Sequence, residues 1–422
     1  MKLRTIVLVI ACLLISWHFV LAFLSGFCLG HKCGSVPDFY PMWNASRALM
    51  RHVDPYGAEV TEQDQIMSYG ATAKDVGMNN EQRFAYPLYA TFPLFPLGVL
   101  RFETANQVAL WLFAALTALS VGWLTGRWNM TTLLYGLLAF SSYPVILGLL
   151  LRQPTLLFFS FGIASFALLR SGYLIPAAFM AALSAGKPQI ALAIVLPMLV
   201  WTLASWCERR RFIIWLAAFY LGLLGISIFL NPHWMSEWLS TLRAYTQYTR
   251  EPVIISMFGH IVGSALGAVL FLGLVFGLWV HRRSELLFQM AASVAVIQLI
   301  TPQALYTAIM LIIPVLWIAE NGSVIAQQGA ASQISLAGVR IALVGFWLAN
   351  VAGAVLLHTS HMGQTIAWLL PIFVNRALVW TLAAVMIVQL FVRRSDADAA
   401  AGSYSVDALY PEPPGAMALT RE

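Results

Sequence analysis

The sequence predicts an all-α polytopic membrane protein with a bundle of about 12 transmembrane helices. Of its 422 residues, 60% are hydrophobic and only 10% are charged, whereas about a quarter of the residues in a soluble domain are charged. Apolar runs of roughly 20 residues, long enough to cross a bilayer as helices, recur along the chain. No stretch outside them is long enough for a conventional soluble catalytic domain, so any chemistry is expected on loops and helix ends.

The charge distribution predicts orientation rather than nucleic-acid binding. The net charge is +6, but the basic residues concentrate at the ends of apolar runs, as in the cytoplasmic loops of membrane proteins. Counting crossings from a cytoplasmic N-terminus with an uncleaved first helix puts every dense basic cluster inside. It leaves Arg152 and Lys187 isolated on the outer face, where charged residues suggest a function.

The candidate spans follow from these apolar runs. They are 5–27, 104–125, 130–151, 155–170, 173–186, 188–206, 212–230, 259–281, 285–301, 303–319, 336–357 and 366–392. The segment 84–100 is also apolar, but its three prolines argue against one unbroken helix, and we predict that it is re-entrant or interfacial. If it crosses instead, 130–151 must break near Ser141–Pro144, so the count is eleven to thirteen.

The chain is expected to form one transmembrane domain, 1–392, followed by a disordered cytoplasmic tail, 393–422. The first extracytoplasmic loop, 28–103, is predicted to carry a short interfacial helix over 40–53 and a second helix over 61–76. Its Cys28 and Cys33 lie where the compartment should be oxidising, which would allow a disulfide between them. The alternative is two free thiols. The other sizeable external loop, 231–258, is rich in Trp, Tyr and Arg.

Asp38 is the first candidate for chemistry. It lies about ten residues beyond the first predicted span and just before the interfacial helix. Partial desolvation there would raise the pKa of the carboxyl towards the working range of a general base. Asp immediately before a helix also commonly caps the helix amides. The sequence alone leaves both roles open.

Two pairs of polar residues stand at predicted outer helix ends. Arg152 and Gln153 precede the span at 155, and Lys187 and Gln189 begin the span at 188. Cations beside helix N-termini suit anions, particularly phosphate, although Lys187 alone could be a snorkelling interfacial lysine. His260 is also placed outside, but no ligand spacing resembles a zinc site, and we predict neither a metal nor a cofactor.

With these residues in view, the sequence resembles glycosyltransferase family 87, the polyprenol-phosphate-mannose-dependent mannosyltransferases of the GT-C superfamily. The resemblance rests on DFYPMWNASRALMRHVDPYG at 38–57, on FAYPLYATFPLFPLGVL at 84–100 and on 152–192, which opens with Arg152-Gln153 and contains Lys187-Pro188. These match the family's Asp-led stretch, Tyr-Pro-Pro segment, Gly-Gln turn and Lys-Pro, in that order. Here Leu88 replaces the second proline, Arg152 replaces the glycine, and ISMFGHIV at 255–262 lacks the polar residues expected there.

The resemblance implies a GT-C bundle in the cell membrane with its active site on the extracytoplasmic face. Asp38 takes the position of the catalytic carboxylate, and Lys187 with Arg152 and Gln153 would bind the donor phosphate. Candidate substrate-binding residues are Arg47, Tyr86, Gln189 and His260. The implied partners are a polyprenyl-phosphate sugar donor and a lipid or glycan acceptor, with no nucleic acid. Mannose is implied by the resemblance alone, and a pentose or glucose donor would fit the same residues.

Two other functional classes fit a polytopic membrane protein. A lipid or sugar transporter or flippase would tend to place ionisable residues at mid-bilayer and to show internal repeats, and neither is evident in this sequence. A structural or assembly protein would tolerate replacement of Asp38 and Lys187. The leading prediction is therefore a hexosyltransferase that uses a polyprenyl-phosphate sugar donor.

Overall fold

The computed structural model describes residues 37–246, 251–302, 304–356 and 361–392, with a few positions between 6 and 17. Within these ranges the regular structure is helical, with no β-strand. The predicted first span lies largely outside the described residues. The Cys28–Cys33 pair and the tail 393–422 lie wholly outside them.

The helices follow one another along the chain with short connections. In order they are α1 Phe39–Met50, α2 Ala58–Tyr69, a 3₁₀ helix Leu88–Leu94, α3 Phe95–Gly98, α4 Phe102–Thr125, α5 Met130–Phe140, α6 Tyr143–Leu150, α7 Thr155–Arg170, α8 Leu174–Ser184, α9 Pro188–Leu203, α10 Trp206–Leu230, α11 Trp234–Thr246, α12 Val253–Phe258, α13 His260–Val280, α14 Leu286–Ile300, a second 3₁₀ helix Leu305–Leu311, α15 Ile312–Gln327, α16 Ala330–Leu356 and α17 His361–Val392.

Several of these helices can cross a membrane, which makes the chain a multi-pass membrane protein. In the described residues six helical stretches are long and apolar enough, or seven if α5 and α6 count as one span bent by 64°. The bend falls at Ser141–Pro144, where the sequence predicted a break only if 84–100 crosses the membrane. Five further apolar helices, α7, α8, α9, α14 and the segment Leu88–Gly98, are shorter. The count of about 12 spans therefore stays a prediction.

The boundaries of several elements differ from those predicted. Helix α1 ends at Met50 rather than at Val53, because the chain turns through His52, whose φ is +57°. Helix α2 runs over 58–69 rather than 61–76. Helix α10 begins at Trp206 and so contains the arginine cluster Arg209–Arg211, which was expected to precede the span at 212–230. The segment 84–100 is divided into the first 3₁₀ helix and the short α3.

Helix α1 is enclosed by protein on most of its surface, although it was predicted to lie at the membrane interface. Phe39 and Met42 are fully buried, and the Phe39 ring lies 6.2 Å from that of Phe113 on α4. Trp43 Nε1 donates to the Leu97 carbonyl at 3.1 Å. Because α1 is held on several sides, its first residues are fixed relative to the bundle.

Three helices begin in one region of the bundle and run away from it. Helices α7 and α9 begin beside each other, because Lys187 Nζ, just before α9, donates to Thr155 Oγ1 at the start of α7. The second 3₁₀ helix starts in the same region, since Tyr306 packs against Lys187, and continues into α15. We call this region the polar end.

The opposite ends of the same helices carry solvated basic residues. Arg170 closes α7 and packs against Gly126, whose φ of +62° ends α4 and favours glycine. Arg127 pairs with Glu320 of α15, and Arg209 stacks over Trp201 near the end of α9. We call this the basic end. A 16-residue helix spans about 24 Å, which separates the two ends.

Candidate active site

Asp38 stands at the start of α1, but its carboxylate does not cap that helix. Its backbone is helical, with φ −61° and ψ −7°, and in the described part of the chain its side chain makes no capping hydrogen bond. Instead Oδ2 accepts a hydrogen bond of 2.6 Å from Gln153 Nε2. Of the two roles that the sequence left open, capping is therefore excluded in this structure. The carboxylate points towards the polar end.

Gln153 is oriented by two hydroxyl groups. Tyr86 Oη donates to Gln153 Oε1 at 2.8 Å, and Thr155 Oγ1 donates to the same oxygen at 3.3 Å. With its carbonyl oxygen held by two donors, the amide can turn only its NH₂ group towards Asp38. Tyr86 is itself fixed, because Tyr56 Oη donates to the Tyr86 carbonyl at 2.8 Å. The carboxylate is thus positioned by a buried network rather than by a flexible contact.

Lys187 is the cation of this network. Its side chain is buried, with 8% exposure, and Nζ donates to Thr155 Oγ1. It also lies 4.7 Å from the centroid of the Tyr306 ring and 5.9 Å from that of Tyr86. The neighbouring Gly186 packs closely against Phe158 of α7, since a Cβ there would lie 2.2 Å from the ring of Phe158.

A chain of hydrogen bonds therefore runs from Lys187 through Thr155 and Gln153 to Asp38. Among the described residues no direct ion pair within 4 Å joins the carboxylate to the ammonium group. The two charges are held in one enclosure but kept apart. A carboxylate and an ammonium group held close together but unpaired suit a substrate that carries both a proton to be removed and an anion to be stabilised.

Burial shifts the pKa values of Asp38 and Lys187 towards neutral pH. It raises the pKa of Asp38 to about 6, against smaller lowering effects of the Gln153 hydrogen bond and of Lys187. It lowers the pKa of Lys187 to about 7, partly offset by Asp38. Displaced pKa values of this kind are typical of acid–base sites. Asp38 as a whole residue is partly exposed.

Tyrosines enclose the site, and sequence reasoning missed two of them. Tyr245 of α11 and Tyr306 are joined by a hydrogen bond, and both interact electrostatically with Asp38. Burial raises the pKa of Tyr245, which keeps its hydroxyl protonated. Tyr245 lies in the segment 231–258, which was predicted to be external and noted for its aromatic content, and Tyr306 follows Pro302. However, nothing in the local sequence indicates that these distant segments meet at Asp38.

Arg152 is fully buried and adopts a φ of +47°. L-residues other than Asn and Asp rarely adopt this left-handed conformation, which glycine enters without steric cost. The glycine that Arg152 replaces in the resembling family suits that backbone. Arg152 Nη1 donates to the Leu150 carbonyl at 2.6 Å. Burial lowers the pKa of Arg152 to about 10, so the guanidinium stays charged at neutral pH. Its predicted contact with phosphate stays a prediction.

The remaining candidates lie apart from this network. Arg47 stacks 5.2 Å from the Trp43 ring on α1. Gln189 is half-buried in the first turn of α9. His260 is 79% exposed and pairs with Glu251 at 3.0 Å. Among the described residues no hydrogen bond links these three side chains to Asp38 or Lys187. The structure therefore brings together Asp38, Gln153, Lys187 and Tyr86 from the predicted set, with Arg152 adjacent.

Comparison with protein families identifies the class. The model of glycosyltransferase family 87 matches residues 84–302, slightly more than half of the chain. The chain therefore belongs to glycosyltransferase family 87 and is a membrane glycosyltransferase. Comparison with curated proteins and with solved structures gives no match.

Proposed function

We propose that the protein is an inverting hexosyltransferase that moves a sugar, mannose, from a polyprenyl phosphate donor to a hydroxyl group of a lipid or glycan acceptor. The observation that carries the proposal is the Asp38 carboxylate, held by Gln153 and joined through Thr155 to Lys187, the one buried lysine among the described residues. One base and one anion-binding cation are what this transfer requires.

In the proposed reaction, Asp38 takes the proton of the acceptor hydroxyl as its oxygen attacks the anomeric carbon. The bond between that carbon and the phosphate oxygen breaks on the opposite face, and polyprenyl phosphate departs with the bonding electrons. Phosphate is a good leaving group, so no general acid is needed, unlike in hydrolysis of a glycosidic ether. Lys187, with Arg152 nearby, stabilises the charge that develops on the phosphate.

The face of the membrane is part of the proposal. Asp38 and Lys187 lie at the polar end, and Arg127, Arg170 and Arg209 lie at the basic end of the same helices. Basic residues collect on the cytoplasmic side of membrane proteins. The polar end is therefore assigned to the extracytoplasmic face of the cell membrane, where a lipid-linked sugar would be used.

The test is transfer of radiolabelled mannose from polyprenyl phosphate mannose by the purified full-length chain, with a membrane lipid extract and soluble mannosides as acceptors. We expect a labelled product whose new linkage has the anomeric configuration opposite to that of the donor. Parallel donors carrying glucose or a pentose on the same lipid measure the choice of sugar. Transfer with retained configuration would contradict the single-base mechanism, and no transfer from any of these donors by folded protein would contradict the function.

A further inference from the structure

An apolar groove lies between three helices beside the site. It is lined by one face of α9, one face of α10 and the end of α8, and its volume is about 310 Å³. The lining residues are Ala181, Ala182 and Ala185 from the region of α8, Ala191, Val195 and Leu199 from α9, and Ile213, Leu216, Ala217 and Tyr220 from α10. Half of these are alanines, so the groove exists because the helices present small side chains to one another.

The lining residues of α9 and of α10 are spaced so that each set forms a continuous stripe along its helix. The lining positions of α9 recur every fourth residue, and those of α10 follow a spacing of three and four, which places each set on one helix face. The α9 stripe from Ala191 to Leu199 covers about 12 Å along the helix axis. Within the described part of the chain helix α10 faces outwards, with only 6% of its apolar window buried, so lipid can approach the groove along this helix.

One end of the groove lies close to Lys187 along the chain. Ala185 precedes Lys187 by two residues, a separation of at most about 7 Å. At this end Tyr89 Oη donates to the Ala185 carbonyl at 3.3 Å and lies 3.2 Å from the Tyr220 hydroxyl. Among the described lining residues Tyr220 has the one polar side chain. The two tyrosine hydroxyls therefore lie at the end of the groove that is close to Lys187.

We propose that this groove binds the first part of the isoprenoid chain of the donor, with the phosphate group at Lys187. This inference rests on the function proposed above and extends it from the reacting atoms to the lipid. The volume is at the lower end of the range of about 300–1,000 Å³ for small-molecule pockets. It therefore suits one segment of a single chain, whereas a bilayer phospholipid brings two chains.

The test measures binding rather than transfer, with the full-length chain in detergent. The probes are radiolabelled polyprenyl monophosphate of about ten isoprene units, a two-unit prenyl monophosphate and a diacyl phosphatidate. Ala217→Phe and Ala191→Phe each place a ring in the groove. Ala218→Phe is the matched control, because Ala218 neighbours Ala217 on the same exposed helix but does not line the groove.

We expect both groove variants to weaken binding of the long polyprenyl phosphate by about tenfold, with the control near wild type. The two-unit phosphate, which has little chain to place in the groove, should lose no more than about twofold. Equal binding of the long probe by all four proteins would overturn the groove assignment while leaving the proposed function intact. An equal loss of phosphatidate would assign the groove to bulk lipid instead. If wild-type protein bound neither prenyl phosphate, both the inference and the proposed donor would be wrong.

Discussion

The two ends of the helix bundle use the same residue types in opposite ways. At the basic end the Arg127 side chain is 59% exposed and pairs with Glu320. At the polar end Arg152 is fully buried and Lys187 is 8% exposed. An exposed pair contributes at most about 1 kcal/mol, whereas a buried charge is costly unless its surroundings compensate. A costly buried charge is retained where it has a function. The exposed basic residues are therefore interpreted as determinants of membrane orientation, and the buried ones as part of the proposed reaction.

Asp38→Asn should produce the largest difference between the two ends. Removing a general base costs about 10²–10⁴-fold, and we expect a fall of about 10³ in kcat for sugar transfer. Glu320→Gln removes a carboxylate at the basic end and should leave kcat within about twofold. The Asn variant retains an acceptor for Gln153, so its folding, checked by size-exclusion chromatography, should be unchanged. Full activity in Asp38→Asn would remove this residue from the mechanism.

Lys187→Met tests the cation at the polar end, with Arg210→Met at the exposed arginine cluster as its control. Loss of a group that stabilises a developing charge typically costs about 10²–10³. We expect a loss of about 10² in kcat/KM for the donor, with little change in the dependence on acceptor. Arg210→Met should match wild type. A loss confined to the acceptor KM would show that Lys187 does not serve the phosphate.

The pH profile of kcat/KM reports both buried charges. Asp38 must be ionised, so activity should rise with pH through its pKa of about 6. Lys187 must be protonated, so activity should fall as pH passes its pKa of about 7. The groups interact, and the two apparent values belong to the pair. We therefore expect a maximum between about 6 and 7. In Lys187→Arg the descending limb should move to much higher pH, and an unchanged limb would assign it to another group.

Gln153→Leu should give the smallest of these effects and identify a positioning residue. The Gln153 hydrogen bond lowers the pKa of Asp38, so its loss should shift the acidic limb of kcat/KM to higher pH. We also expect about tenfold lower kcat, since the carboxylate would lose its orientation. Gln153→Asn, which keeps the donor, should recover part of the loss. A lower kcat without movement of the acidic limb would indicate a structural role only.

Local pattern predicted much of this architecture. The span 155–170 coincides with α7, because an unbroken apolar run between Pro154 and Gly172 leaves little choice of boundaries. The prediction of an all-helical membrane protein is confirmed for the described residues. The membership in glycosyltransferase family 87 is also confirmed.

The sequence could not predict which distant segments meet at the site. Asp38 and Gln153 are 115 positions apart, and only packing of the enclosed α1 decides whether the carboxylate caps its helix or reaches the glutamine. Tyr245 and Tyr306 come from segments with no local signal for a shared site. The left-handed backbone of Arg152 is equally hidden, because its residue type argues against that conformation.

The central claim is that Asp38 and Lys187 divide one reaction between them, and donor binding tests it most directly. The measurement is equilibrium binding of polyprenyl monophosphate to wild type, to Asp38→Asn and to Lys187→Met at about pH 6.5, where the Asp38 carboxylate and the Lys187 ammonium group are both mainly charged. We expect Asp38→Asn to bind as tightly as wild type or more tightly, because a negative charge near the phosphate is removed. We expect Lys187→Met to bind at least about tenfold more weakly. Equal weakening in both variants, or tight binding by Lys187→Met, would contradict the division of roles.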